Sequence, residues 1–134
     1  MTPHDEISSI LQAHGIQPSA QRVAIALFVL RTDAHPTADE VLAAVRREFP
    51  VVSRATIYNT LGLFVEKGLL QTHQFREGVT VYDANTDRHH HFIDTESGEV
   101  HDIPWEAVDL QRMDQLQGYA VDSWMVVMRG RRKP

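Results

Sequence analysis

"SRATIYNTLGLFVEKGLLQTHQFREGVTVYD", Ser53 to Asp83, changes its period once, and that change decides the fold. In its first part Ile57, Leu61, Phe64 and Val65 recur at helical spacing, Ser53 stands where an N-cap would accept first-turn amides, and Gly68 supplies a stop. In its second part "LLQTHQF" and "VTVYD" flank a turn at Arg76-Glu77-Gly78, the pattern of a β-hairpin. The outer face of the helix carries Arg54, Thr56, Tyr58 and Asn59 near its N-terminus. Long or hydrogen-bonding side chains in that place suit a helix that enters a major groove, and the first-turn amides favour phosphate. Polar residues on one outer face more often only solvate it, and Tyr58 can instead pack half-buried on a neighbouring helix. The hairpin that follows is what raises DNA contact above that bland reading.

Three helices precede this stretch. Ile7, Ile10, Leu11 and His14 share a face, with Gly15 as a stop; "PSAQRVAIALFVLRT" offers Ser19 as an N-cap and an apolar helix through Val23, Leu27 and Leu30. "TADE", Thr37 to Glu40, is a capping box, followed by Val41, Leu42, Val45 and Phe49 on one face and ended by Pro50. Helices followed by a hairpin describe a winged helix-turn-helix over residues 1–83. A net charge of −5 argues against nucleic acid, but its distribution does not. Residues 1–75 hold six basic and seven acidic side chains, and residues 76–134 hold seven and eleven. A local DNA face therefore survives in the first half.

Residues 84–134 read as a second, α/β unit, so the fold class is α+β. Phe92 and Ile93 belong to a strand, Ser97-Gly98 to a turn and "VHDI" to the return strand. "PWEAVDLQRMDQL" reads as a helix after Pro104, and "YAVDSWMVVM" as a long strand with apolar residues on both faces. So small a sheet cannot bury both faces alone. A second copy of the chain supplies the cover, so a two-fold homodimer is expected. The basic tail "RGRRKP" reads as a solvated end. No apolar run approaches the roughly 20 residues of a membrane span, and acidic residues stand where a signal peptide would be basic. A cytoplasmic protein without membrane partners is expected.

"DRHHHFIDTESGEVHDI", Asp87 to Ile103, holds four of the eight histidines. On a strand, alternation turns His89 and His91 to one side and His90 to the other, and Asp102 on the return strand can join the pair. Asp83, at the end of the hairpin, and His35, before the third helix, are outside candidates. The chain has no cysteine, so a metal must take imidazole nitrogen and carboxylate oxygen. Three imidazoles and two carboxylates suit Fe²⁺, Mn²⁺ or Zn²⁺ better than Ca²⁺ or Mg²⁺. Any single His is more often a surface or structural residue than a ligand.

"QPSAQRVAI", "HPTADEV", "SRATIYNTLGLFVEKGLL", "VTVYD" and "HHHFIDTESGEVHDI", in this order and spacing, resemble the ferric uptake regulator family of metal-responsive bacterial transcription factors. The resemblance implies an N-terminal winged helix and a C-terminal α/β dimerisation domain. It also implies a regulatory metal site at His35, Asp83, His89, His91 and Asp102, one ion per subunit, which sets the angle between the domains and so the spacing of the recognition helices. For DNA it points to Ser53, Arg54, Thr56, Tyr58 and Asn59 in the major groove, Arg22 near the backbone, and an AT-rich inverted-repeat operator in double-stranded DNA. The chain would then be a repressor of iron, haem or oxidative-stress genes.

The sequence departs from the family where a structural zinc is held by two CxxC pairs: "DTES" stands at the first, and the second is missing. A further site, for a second metal or for haem, would draw on His90, His101 and Asp109, with Trp124 standing where the family has a His. The His triplet, "DIP" and "RRK" look most like the iron response regulator branch, which answers to haem, and imidazole is an ordinary axial ligand. The peroxide-sensing branch shares an aspartate at Asp102; there, iron-catalysed oxidation of a ligand His releases DNA. Two other classes rank below a regulator. His89, His91 and Asp102 are also the donor set of non-haem iron enzymes, but no substrate pocket is evident. A metal carrier would leave the winged helix without a purpose.

Overall fold

Two compact units, Met1–Thr86 and Asp87–Pro134, make up the computed structural model, which describes residues 1–32 and 34–134. Among the described residues the first holds α1 (Pro3–Ala13), α2 (Ala20–Val29), α3 (Ala38–Val45), α4 (Arg54–Glu66), β1 (Gln71–Arg76) and β2 (Val79–Asp83). Each helix begins on a side-chain cap: Thr2 and Thr37 form capping boxes with Asp5 and Glu40, while Ser19 and Ser53 accept the amides of Arg22 and Thr56. α4 ends in a Schellman motif. Gly68 takes φ +84°, and the amides of Leu69 and Gly68 donate to the carbonyls of Phe64 and Val65.

The helical core is built from Leu11 of α1, Ile25 and Val29 of α2, Val41 of α3, and Ile57, Leu61 and Phe64 of α4, all essentially inaccessible to solvent. Each contributes about 1.5–3 kcal/mol by leaving water. α2 packs on α1, α3 and α4. This central place buries Val23, Ile25, Ala26 and Val29 and leaves Leu27 and Leu30 half-buried, so more than one stripe of α2 faces the core. Ile10 is exposed rather than sharing the inward face of Ile7 and Leu11. α3 stops at Val45, and a turn carries Phe49 back against the core.

β1 and β2 form the antiparallel wing, with Gln71 opposite Asp83 and His73 opposite Val81. The amide of Tyr82 donates to Pro36 O at 2.8 Å, and Thr37 bridges Val81. The wing is thereby stitched to the loop before α3. Ala84 packs on the helical core, and Gln71 donates to Thr86 O, so the unit extends three residues beyond Asp83.

The second unit is a three-stranded sheet in the order β4-β3-β5, formed by β3 (His89–Asp94), β4 (Val100–Pro104) and β5 (Val127–Gly130). β4 is antiparallel to β3 and β5 is parallel to it. Here the sequence expectation needs correction. "PWEAVDLQRMDQL" forms only the 3₁₀ turns Trp105–Ala107 and Met113–Gln115, and the strand read through "YAVDSWMVVM" is regular only from Val127. The apolar side chains of that segment have too little to pack on: Leu110, Leu116, Tyr119, Val121 and Met125 are all exposed. A helix or strand owes most of its stability to burying one face. No helix among the described residues is long and apolar enough to cross a membrane.

Candidate metal centre and nucleic-acid face

In the first unit, Pro36 restricts His35 to extended backbone, and the stitch between the Pro36 carbonyl and the wing brings that loop beside the end of β2. His35 Nε2 lies 3.3 Å from Asp83 Oδ2, with side chains 2% and 5% exposed. Asp83 Oδ1 accepts the amide of Asn85 at 2.9 Å, which anchors one carboxylate oxygen. His73 Nε2, from β1, reaches the same Oδ2 at 3.2 Å. No sequence motif marks His73. Its one signal is parity, since Gln71, His73 and Phe75 share the half-buried face of β1.

In the second unit the pairing of β3 with β4 sets His91 opposite Asp102. His89 Nε2 lies 3.3 Å and His91 Nε2 3.8 Å from Asp102 Oδ1, and both rings are buried. His89 Nδ1 donates to Asp87 O at 2.6 Å. That bond leaves the lone pair on Nε2, facing the carboxylate oxygen. Such an arrangement is one that a cation stabilises. In each unit the 3.3 Å between imidazole nitrogen and carboxylate oxygen is close to the spacing of neighbouring ligands bound at about 2.1 Å. The donor chemistry, His nitrogen with Asp oxygen and no sulfur, fits a borderline divalent transition ion.

His90 has a different occupation. It is fully buried on the other face of the sheet, its Nδ1 accepts the amide of Val126 at 3.0 Å, and its Nε2 donates to Trp105 O at 3.1 Å. Its ring stacks on Trp105 at 4.6 Å, Trp124 lies 4.3 Å from Trp105, and Arg88 covers the Trp105 ring at 4.1 Å. His101 is on β4, 3.5 Å from Glu99, and Asp109 is exposed in the following loop. The structure does not bring His90, His101 and Asp109 into one cluster among the described residues. Where the family would have its first cysteine pair, Asp94 Oδ1 instead accepts the amides of Glu96 and Ser97 at 2.9 and 3.3 Å. The amide of Glu96, foremost, holds the Asp94 carboxyl below its ordinary value of 3.8.

The candidate nucleic-acid face belongs to α4. Ser53 and Thr56 share a hydroxyl hydrogen bond at 2.9 Å at the helix start, and Arg54, Tyr58 and Asn59 are exposed, Tyr58 by 49%. Arg54 pairs with Asp39 of α3. Arg22, on α2, donates to Gln17 O at 2.9 Å.

Residues 13–128 match the sequence model of the ferric uptake regulator family. A peroxide-responsive repressor of Staphylococcus saprophyticus is 33% identical over 118 residues, covering 88% of this chain and 78% of that protein. Two solved structures share the fold with a TM-score of 0.71. They are the ferric uptake regulator of Pseudomonas aeruginosa with manganese, at 24% identity over 96% of this chain and 98% of that one, and that of Francisella tularensis with iron, at 19% over 89% and 93%.

Proposed function

The chain belongs to the ferric uptake regulator family, and on that premise we propose that it is a homodimeric, metal-dependent repressor whose α4 enters the major groove of double-stranded operator DNA. The observation that carries the reading is the pair of His–carboxylate sets, His35 with the buried Asp83, and the buried His89 and His91 with the more exposed Asp102. These five residues would hold one Fe²⁺, Mn²⁺ or Zn²⁺ ion per subunit. The ion would supply positive charge for the carboxylates of Asp83 and Asp102, with the imidazoles of His35, His89 and His91 as neutral donors. Ligands that bind one arrangement of two units better than others shift the population toward it. The arrangement so favoured would set the separation of the two α4 helices against the half-sites.

Within the first unit, Ser53 caps α4 and leaves Arg54, Tyr58 and Asn59 outward, where they can reach phosphate and base edges. The exposed apolar side chains Leu110, Leu116, Tyr119, Val121 and Met125 of the second unit support the homodimer, because a partner copy would cover them. The target genes belong to iron, haem or oxidative-stress metabolism. A peroxide response is the reading favoured among these: the relative named a peroxide-responsive repressor is 33% identical, and His90 has both ring nitrogens engaged by backbone groups. As a DNA-binding regulator it would work in the cytoplasm, and as a regulator it needs no substrate.

Mn²⁺ titration of the full chain, with His35→Ala and His91→Ala beside it, tests the shared site. Loss of tight binding in both variants, which lie in different units, is the expected result. Full affinity in His35→Ala would confine the ion to the second unit and end the proposal.

A further inference from the structure

We propose that His73, on the wing, is a positioning residue of this metal centre: its Nε2–H holds Asp83 Oδ2 toward His35. The inference rests on the metal-site reading above and adds a residue that the family likeness did not supply. Asp83 is held from two sides. Its Oδ1 takes the Asn85 amide at 2.9 Å, and its Oδ2 is met by His73 Nε2 at 3.2 Å and by His35 Nε2 at 3.3 Å. The His73 side chain is 8% exposed, so a rotamer change would have to break packing. Its ring lies against Phe75 with centroids 5.2 Å apart and planes 26° from parallel, which sets the direction of Nε2.

A carboxylate ligand needs such a partner because it can otherwise rotate about its Cα–Cβ and Cβ–Cγ bonds. Hydrogen bonds to ligating groups typically change metal affinity by 10–100-fold when removed. The donor here belongs to β1, paired with β2 through Gln71–Asp83 and Thr72–Tyr82. The orientation of Asp83 is therefore tied to the ladder of the wing. A hydrogen-bond donor is the role the geometry favours over direct ligation, because His35 and Asp83 belong to the group of described residues whose ligand-capable atoms gather together and His73 does not.

The test is Mn²⁺ affinity of the full-length protein, read from the EPR signal of free Mn²⁺, together with the visible absorption bands of the Co²⁺-loaded protein. His73→Phe keeps the ring against Phe75 and removes the donor; it should bind Mn²⁺ about 10–100-fold more weakly with Co²⁺ bands at the wild-type positions. His73→Gln and His73→Glu form a second pair, matched in size, that does not depend on Phe being accommodated. Gln can donate and should recover most of the affinity, whereas Glu should not. Wild-type affinity in His73→Phe or in folded His73→Glu would overturn the role, and shifted Co²⁺ bands in His73→Phe would overturn it in favour of direct ligation. His35→Ala separates the two levels of inference. If it binds Mn²⁺ as the wild type does, the centre itself is wrong. If it loses binding while His73→Phe does not, only the His73 assignment falls.

Discussion

Replacing His90 by alanine separates the middle histidine of the triplet from its neighbours. The substitution leaves the carbonyl of Trp105 and the amide of Val126 without the partners that now sit at 3.1 and 3.0 Å, and it removes a ring stacked at 4.6 Å on Trp105. A buried backbone group stripped of its partner costs about 1–3 kcal/mol, and an aromatic stack about 0.5–1.5 kcal/mol. Because Trp105 and Val126 are only half-buried, the lower ends apply, and the expected loss is about 2.5 kcal/mol. For a chain of this length that lowers the melting temperature by about 10 °C. His91→Ala also empties a fully buried site and should lower the metal-free melting temperature as well, but it should in addition abolish tight Mn²⁺ binding, which His90→Ala should keep. Thermal melting by circular dichroism with chelator present, followed by Mn²⁺ titration of both variants, reads the two effects apart. The reasoning is refuted if His90→Ala melts with the wild type while losing Mn²⁺ or haemin binding, since His90 would then be a ligand and not a tie between strands.

Asp39→Ala frees Arg54 from its partner. Both side chains are more than half exposed, so the pair is worth about 0.2–1 kcal/mol, and DNA affinity at fixed salt should rise by up to about fivefold; unchanged or weaker binding by the folded variant would show that Arg54 does not meet DNA. Asp94→Asn should flatten the acid limb of stability. The folded carboxyl titrates below 3.8, chiefly because it accepts the Glu96 amide, so its contribution is present above the unfolded value and is lost as pH falls through the folded one. Matching melting curves for both proteins between pH 2 and 5, at a set of roughly even steps, would refute that sign.

Much of the first unit was legible because its signals are local. Thr37 and Glu40 cap each other across one turn, Gly68 alone tolerates the positive φ that ends α4, and β1 and β2 alternate about Gly78 at φ +75°. The same alternation, legible in the sequence, turns His89 and His91 away from His90. The second unit was less legible, for a physical reason. Val108 to Met125 carry helical and strand-like spacing, but what decides their state is the surface available to bury them, and within one chain Leu116 and Tyr119 stay exposed. His73 escaped because no spacing rule links it to Asp83: the two meet through a diagonal of the β1–β2 pairing. Asp94 is the opposite case. Its place in "DTES" shows that cysteine is missing, while only the structure shows that its carboxylate gathers the turn's amides.

The most direct measurement is fluorescence anisotropy of the full chain on labelled DNA from its own upstream region, at one salt concentration because phosphate contacts make affinity steeply salt-dependent. Chelator, Mn²⁺, and Mn²⁺ with haemin are the three conditions, with His35→Ala and His91→Ala as controls. Tight binding that requires Mn²⁺, ignores haemin and fails in both variants is the expected result. Equal binding with chelator and with Mn²⁺ would contradict metal-dependent repression outright.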